Sequence, residues 1–548
     1  QLCGAELAVG RIVNGHGELD LRSAVRRGQE VEQVDAAGGL LLHAEKQRHG
    51  QQQQRAAADA EARARMVEET ARLMEAQSAP DSPEALATIP ALGIEDLPRE
   101  NALLPRAVAE LPETFLTHEL PTQGIAYATL LLPLANVPDR LVPLLPLFAR
   151  SLTETGTAKR DFTELGALMA AKTGGLGAET LVGLVRGSRK TFGYLGVSGK
   201  AVYDKLPDLF ALTREILLEP LTDADVLRER LGQMLLEGKA RLEHGLQSAG
   251  HAAVSARLRA RFNGASAIAE RTSGLSYLES VRGLLERMDT DPQSVLNDLE
   301  ELRSRIIARP GAVMDCTAEA QGLALVETEA RQLLRSLSPA RAGAATDFGS
   351  APLELPKGEA FIAPAQINYV GKAANIYDQG YVYHGSASVI LRSLRMGYLW
   401  ERVRVRGGAY GAFCNLDRLG GTLVCASYRD PNVDDTLAAF DGMAEYLHTF
   451  SPDKAQLTQA IVGAVGDLDS YLLPDAKGAQ SLSRWLTDDT DAARALMREE
   501  ILSTTGKHFR EFAEVLAEAA RSGSTCVLGG PKTEAAAKEH GWSSTKLV

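Results

Sequence analysis

Apolar and polar positions along the chain fall into stretches of two different periods. A continuous apolar run at 125–134 and β-rich runs at 180–186, 191–197 and 312–315 predict strands, because short apolar or alternating segments bounded by turn residues suit a pleated, half-buried surface. Apolar residues recurring every three or four positions over 139–154, 161–172 and onward from 203 through 306 predict helices with one apolar face. Gly174-Gly175 stands between the second helix and the strand pair. The same order then returns: a strand at 367–371, a helix at 386–402, Gly407-Gly408, strands at 409–415 and 422–428, helices from 433 to 520, and a closing strand at 525–529. A repeat of about 230 residues is far longer than any solenoid unit, so it predicts two duplicated whole domains. Strands joined by both hairpins and helices give an α/β class of the α+β layer-sandwich type, with mostly antiparallel sheets flanked by helices.

The pattern also divides the chain lengthwise. Residues 1–55 mix Gly, Arg, Gln and His with little apolar periodicity and end in a run of glutamines, so they are expected to be an atypical segment, disordered or foreign to the fold. From 56 to 77 the sequence is rich in Ala, Glu and Arg without Gly or Pro, with Met66, Thr70 and Leu73 at helical spacing. Pro80-Asp81-Ser82-Pro83 breaks that helix and opens an extended linker that runs to Pro98. The expected organisation is therefore 1–55 atypical, 56–98 helical hinge and linker, 99–338 a first domain, 339–356 an Ala/Gly/Pro-rich linker and 357–548 a second domain.

Composition narrows the function. A net charge of −12 over 548 residues argues against a general nucleic-acid or anionic-membrane binder. No apolar run is long enough for a membrane span. The five cysteines are scattered without a C-x-x-C, which fits buried reduced thiols better than a disulfide or zinc framework. Ten histidines are present, yet none forms a helical pair one turn apart with a Glu between, so each reads as a surface or packing residue.

The stretch from Gly397 to Phe413 carries the most chemistry. A helix ends in Arg402, Arg404 and Arg406, which suit its negative C-terminal dipole; Gly407-Gly408 permit a tight turn; Ala409 and Tyr410 open a strand. Such a turn can bring Arg404 and Tyr410 to one end of the sheet, where a guanidinium and a phenol together polarise a peptide carbonyl or hold an oxyanion. Equally, the arginines can be a solvated helix end and Tyr410 a packing residue; spacing alone leaves both open.

Leu399-Trp400-Glu401-Arg402-Val403-Arg404 through Gly407-Gly408-Ala409-Tyr410-Gly411, followed by Ser427-Tyr428-Arg429-Asp430-Pro431-Asn432, resembles the C-terminal half of the presequence-protease branch of the pitrilysin/insulinase metallopeptidases. Residues 79–90 resemble that family's associated segment, and Ser273-Gly274-Leu275-Ser276-Tyr277-Leu278 its third domain. The resemblance implies four homologous domains in two halves that close around an unfolded peptide, with 99–338 and 357–548 as the third and fourth. It implies zinc held by an H-x-x-E-H helix in the N-terminal half; that motif is absent from these residues, so no metal ligand is assigned here and the zinc is expected outside this chain, in a half joined in cis or supplied as a separate subunit. Arg404 and Tyr410 match the family's Arg/Tyr pair that reaches across the chamber to position substrate and stabilise the oxyanion, with Gly407, Gly408 and Ala409 bordering the substrate. The chain alone is then expected to be inactive. A bacterial cytoplasmic role in peptide clearance is favoured over an organellar matrix. Two alternatives remain: a non-catalytic peptide-binding or scaffold subunit of a two-chain processing peptidase, and a self-contained metal enzyme using the scattered histidines.

Overall fold

The computed structural model describes residues 60–79, 81–109, 113–346, 348–349 and 351–547. The expectation for 1–55 lies outside the described residues. The first unit contributes one long helix, α1 (Ala60–Ser78), which covers most of the helix expected at 56–77. The second unit, from Leu92 to the end, holds the remaining elements.

The second unit is built on two six-stranded sheets. In the first, β1 (Ala107–Ala109), β2 (Thr114–Glu119), β3 (Ile125–Pro133), β4 (Leu176–Leu184), β5 (Thr191–Val202) and β6 (Val313–Ala318) lie in the order β1-β2-β6-β3-β5-β4. In the second, β7 (Gly358–Ile362), β8 (Tyr369–Asn375), β9 (Gly411–Asp417), β10 (Thr422–Tyr428), β11 (Ser524–Gly529) and β12 (Ser543–Lys546) lie in the order β12-β7-β11-β8-β10-β9. Five strands of each sheet follow the same path: the last strand to form inserts between the first two, parallel to one and antiparallel to the other. The duplication and the mostly antiparallel sheets expected from the sequence are both present.

Particular strands differ from expectation. β6 and β11 are central, not terminal, because each pairs on both edges. β2 and β7 were not expected as strands at all. Each carries a buried polar residue, His118 and Glu359, that interrupts the apolar pattern and finds its partners elsewhere in the chain. The helix expected at 386–402 is an α-helix only to Leu394 and continues to Arg406 as a π-helix.

Helices pack on both faces of each sheet. α2 (Leu145–Glu154), α3 (Phe162–Lys172) and α4 (Leu206–Leu218) build the core on one face of the first sheet, where Leu130, Leu132, Leu145, Phe148 and Leu209 are buried. The long α5 (Ala224–Arg259) leaves that core and crosses to the second sheet, where Leu246, Val254 and Leu258 pack against Tyr369, Ala373 and Val424. α6 (Gly264–Ser273) and α7 (Leu275–Thr290) follow it. In return α8 (Pro474–Leu486), from the C-terminal part of the chain, lays Leu482 and Leu486 on Leu116, Leu131 and Val313 of the first sheet. Each sheet thus has one face covered by its own helices and the other covered by a helix from the opposite half. α9 (Asp491–Leu502) follows α8. Arg257 and Arg261, from α5 and just beyond it, converge on the buried Glu359 of β7 at 2.7 and 2.8 Å, and Arg257 also reaches Glu270 at 3.4 Å, which ties the two halves electrostatically.

Candidate functional site

Arg404 and Tyr410 stand on the two sides of one turn. The π-helix Arg395–Arg406 is wider than an α-helix, and its bonds run i→i−5, as from the Gly407 N–H to the Arg402 carbonyl at 3.1 Å. Gly408, at φ +79°, takes the left-handed conformation, and the Ala409 N–H returns to the Val403 carbonyl at 3.1 Å, closing the helix end as a glycine cap does. A Cβ on Gly407 would lie 2.5 Å from the Val403 carbonyl oxygen, so this position also needs glycine. The chain leaves the turn at Tyr410, whose N–H donates to the Tyr428 carbonyl at 3.0 Å. Tyr410 was expected to lie within the strand; it precedes the first strand residue, Gly411, and its ring is consequently 64 % exposed.

This geometry places the Arg404 guanidinium between two rings, 4.2 Å from the Trp400 centroid and 5.4 Å from that of Tyr410. Among the described residues Arg404 has no carboxylate partner and no hydrogen-bond acceptor, and the Tyr410 hydroxyl is also free. Arg406, by contrast, is paired with Glu401 at 2.8 Å. A guanidinium held by aromatic faces keeps its fork of N–H donors for a ligand, which a salt bridge would occupy. Gly407, Gly408 and Ala409 use their N–H groups inside the helix end, so none of those three donors is open.

A second layer fixes the phenol. The Tyr428 ring meets Tyr410 edge-on at 5.6 Å and 79°, and His251 of α5 meets Tyr428 edge-on at 4.9 Å while stacking on Phe413 at 5.4 Å. Burial lowers the basicity of His251, so it serves here as a neutral ring. Asp430 is fully buried and accepts from the Asn432 N–H at 2.9 Å and the Thr436 hydroxyl at 2.7 Å, and burial raises its pKa. Asn432 in turn donates to the Gly407 carbonyl at 2.6 Å, so the segment after β10 braces the turn from below. The sequence reading named Arg404 and Tyr410 but not the role of Trp400. Its position four residues before Arg404 on a helix was the available signal.

The corresponding place in the first sheet has no such pair. β4 occupies the position of β9, and the residue before it is Gly175. Among the described residues no group of three or more His, Cys, Asp or Glu side chains could share a metal ion. His384 and His508 face each other at 4.9 Å, but the Nδ1 of His384 lies 2.8 Å from the Ser386 hydroxyl and that of His508 accepts from the Thr505 N–H at 3.0 Å. The residues present do not fit a zinc centre. No helix among them is long and apolar enough to cross a membrane.

Comparison with known proteins locates these features. The family of peptidase-associated segments belonging to subfamily C of the M16 peptidases matches residues 42–284, and that described as "PreP C-terminal domain" matches residues 358–528. The chain is 39% identical over 456 residues to presequence protease 1, chloroplastic/mitochondrial, of Arabidopsis thaliana, covering 83% of this chain and 42% of that protein. It is 29% identical over 471 residues to protein HypA of Clostridium perfringens, covering 85% and 47%. The chain therefore spans less than half the length of these curated relatives. A crystal structure of a peptidase M16 inactive domain from Pseudomonas fluorescens superposes with a TM-score of 0.55 at 17% identity, covering 78% of this chain and 98% of that one, and shares the fold.

Proposed function

The chain belongs to the presequence-protease type of M16 peptidases, and from that premise we propose that it is the half that completes the active site of a zinc oligopeptidase acting on unfolded peptides. Arg404 and Tyr410 supply the chemistry. The free guanidinium takes the carbonyl of a peptide next to the scissile bond, fixing its register, and the Tyr410 hydroxyl donates to the scissile oxygen as it gains negative charge. Both donors are pre-oriented, Arg404 by its two rings and Tyr410 by Tyr428, so little reorganisation accompanies the reaction. Gly407, Gly408 and Ala409 border the substrate through their small surface, which lets the peptide backbone approach the phenol.

Zinc supplies the activated water in such enzymes. We place it in a complementary half, in cis or as a separate subunit, because the inverse zinc motif does not occur in this sequence. On this reading the isolated chain does not hydrolyse peptides. The observation that carries the proposal is an arginine without an acid partner, held between aromatic rings, beside an exposed phenol.

The test is turnover of an unstructured peptide by this chain combined with the cognate zinc-binding half. Arg404→Ala and Tyr410→Phe are each expected to lower kcat/KM by more than about tenfold, the cost of losing an oxyanion donor. Parent-like rates for both variants would make the chain a scaffold.

A further inference from the structure

A cleft of about 670 Å³ opens at the other end of the strand that begins beside Tyr410. Its walls are the β9–β10 turn with Leu419 and Gly420, the β4–β5 turn with Arg186 and Arg189, the aromatic loop after β8, and α9. We propose that this cleft is a second peptide-binding site, which takes a bulky apolar side chain of an extended peptide at a distance from the Arg404–Tyr410 pair. The inference rests on the reading of the chain as a peptide-binding half and adds to it a subsite and a side-chain class.

Four observations carry it. The volume is within the range of about 300–1,000 Å³ usual for ligand sites. Val382 and Leu496, both on its lining, are 82% and 59% exposed, and Tyr381 and Phe262 line it as well, so apolar surface stands open to water that an apolar side chain would cover. Asn263, also on the wall, is 8% exposed; its Oδ1 accepts from the Ser266 N–H at 2.8 Å, but its Nδ2 is buried with no acceptor. A buried amide donor left unpaired is costly, and a peptide carbonyl entering the cleft would satisfy it.

The fourth observation favours a peptide over a small molecule. β4 and β9 are the terminal strands of their sheets, each hydrogen-bonded on one side only, to β5 and to β10, and both run into turns that wall the cleft. A sheet's last strand offers unpaired backbone groups that an extended chain can complete. β9 spans Gly411–Asp417, and at about 3.4 Å per residue the cleft lies roughly 24 Å from Tyr410. A peptide laid along β9 from the Arg404–Tyr410 pair would reach the cleft about seven residues on. The rim is suited to a peptide as well: Arg189 is paired with Asp378 at 2.5 Å, whereas Arg186 gives its Nε to the Asp488 carbonyl and has no carboxylate partner among the described residues.

The experiment reads binding, not turnover. A fluorescein-labelled, otherwise polar twelve-residue peptide with one Phe, and its Phe→Ser counterpart, are titrated against the full chain by fluorescence anisotropy. The Phe peptide is expected to bind saturably and at least about tenfold more tightly than the Ser peptide, the discrimination an apolar pocket gives. Leu496→Asp, at an exposed helix position, should abolish that difference while leaving the melting temperature in place. Asn263→Asp keeps the acceptor that caps α6 and removes the donor, and should weaken the Phe peptide several-fold. Equal affinity for the two peptides, no saturable binding, or a Leu496→Asp variant that still discriminates would each overturn the proposal. Parent-like turnover of the Arg404 and Tyr410 variants would sink the catalytic reading alone and leave this readout unchanged.

Discussion

The Arg404 guanidinium lies 4.2 Å from the Trp400 ring centroid, one helical turn along from it, and that contact substitutes for the acid partner Arg404 lacks. Truncating Trp400 leaves the charge in place but frees the side chain. A cation–π contact of this exposure contributes about 1 kcal/mol, so Trp400→Ala should lower turnover by the reconstituted enzyme roughly fivefold. Trp400→Phe should restore most of that loss, since it keeps a ring face. Thermal melting should stay near that of the parent, as Trp400 is 44% exposed. A Trp400→Ala enzyme with unchanged kcat/KM would show that Arg404 is positioned by other means.

Arg404→Lys tests the geometry of the donor. Lysine keeps the positive charge but loses the planar fork and stacks poorly on Trp400 and Tyr410. If Arg404 fixes peptide register through paired N–H groups, the lysine variant should resemble Arg404→Ala in kcat/KM within a few-fold. Recovery of most of the activity by lysine would assign Arg404 a purely electrostatic part.

Gly408 sits at φ +79°, and placing alanine there forces a side chain into the left-handed region at about 1–2 kcal/mol. The strain falls on the turn that separates Arg404 from Tyr410. Gly408→Ala should therefore lower the melting temperature slightly and turnover more than stability. Gly380, also at positive φ (+91°) and with open space around a Cβ, offers a control distant in sequence: alanine there should shift melting without a comparable loss of kcat/KM. Equal effects on turnover at both glycines would detach the turn from the chemistry.

Much of this was legible in the sequence, and the remainder was hidden for definable reasons. The apolar runs that became β3 and β10 announced themselves because both faces of those strands are covered. The repeated Gly-Gly before a hairpin marked the duplication. β2 and β7 were invisible because His118 and Glu359 interrupt their pattern, and their partners Asp315 and Arg257 lie 197 and 102 residues away in sequence. The crossing of α5 and α8 onto opposite sheets was equally hidden, since an amphipathic face states that it is buried and not against what. Arg404 and Tyr410 were found through their spacing; the aromatic clamp depends on the turn that folds Tyr410 back over the helix end.

Glu359 is 4% exposed and accepts charge-assisted bonds from both Arg257 and Arg261. Removing one member of a buried network strands the others, at about 3–5 kcal/mol. Glu359→Ala should lower the urea midpoint accordingly. Glu359→Gln should fall between, because it keeps the hydrogen-bond acceptor but not the charge. A midpoint within error of the parent for Glu359→Ala would show that the arginines find other partners.

His118 gives the fold a pH dependence with a definite sign. The residue is fully buried on β2, its Nε2 lies 2.8 Å from the Asp315 carboxylate and its Nδ1 lies 2.9 Å from the Pro105 carbonyl. Both ring nitrogens thus face acceptors, an arrangement only the imidazolium satisfies. Burial alone would lower its pKa, but the hydrogen bond and charge of Asp315, with the Pro105 carbonyl, outweigh it and raise the pKa above the ordinary value. A histidine whose folded pKa exceeds its unfolded value of about 6.5 stabilises fully below that value and loses the contribution as pH rises through the folded pKa. Urea midpoints should therefore fall from pH 6 towards alkaline pH, and the decline should be smaller in His118→Gln, which can still donate to Asp315 but does not titrate. Backbone exchange measured by mass spectrometry should show the loss first in β2 and in α8, which packs over Leu116. An identical pH profile in His118→Gln would assign the dependence to other groups.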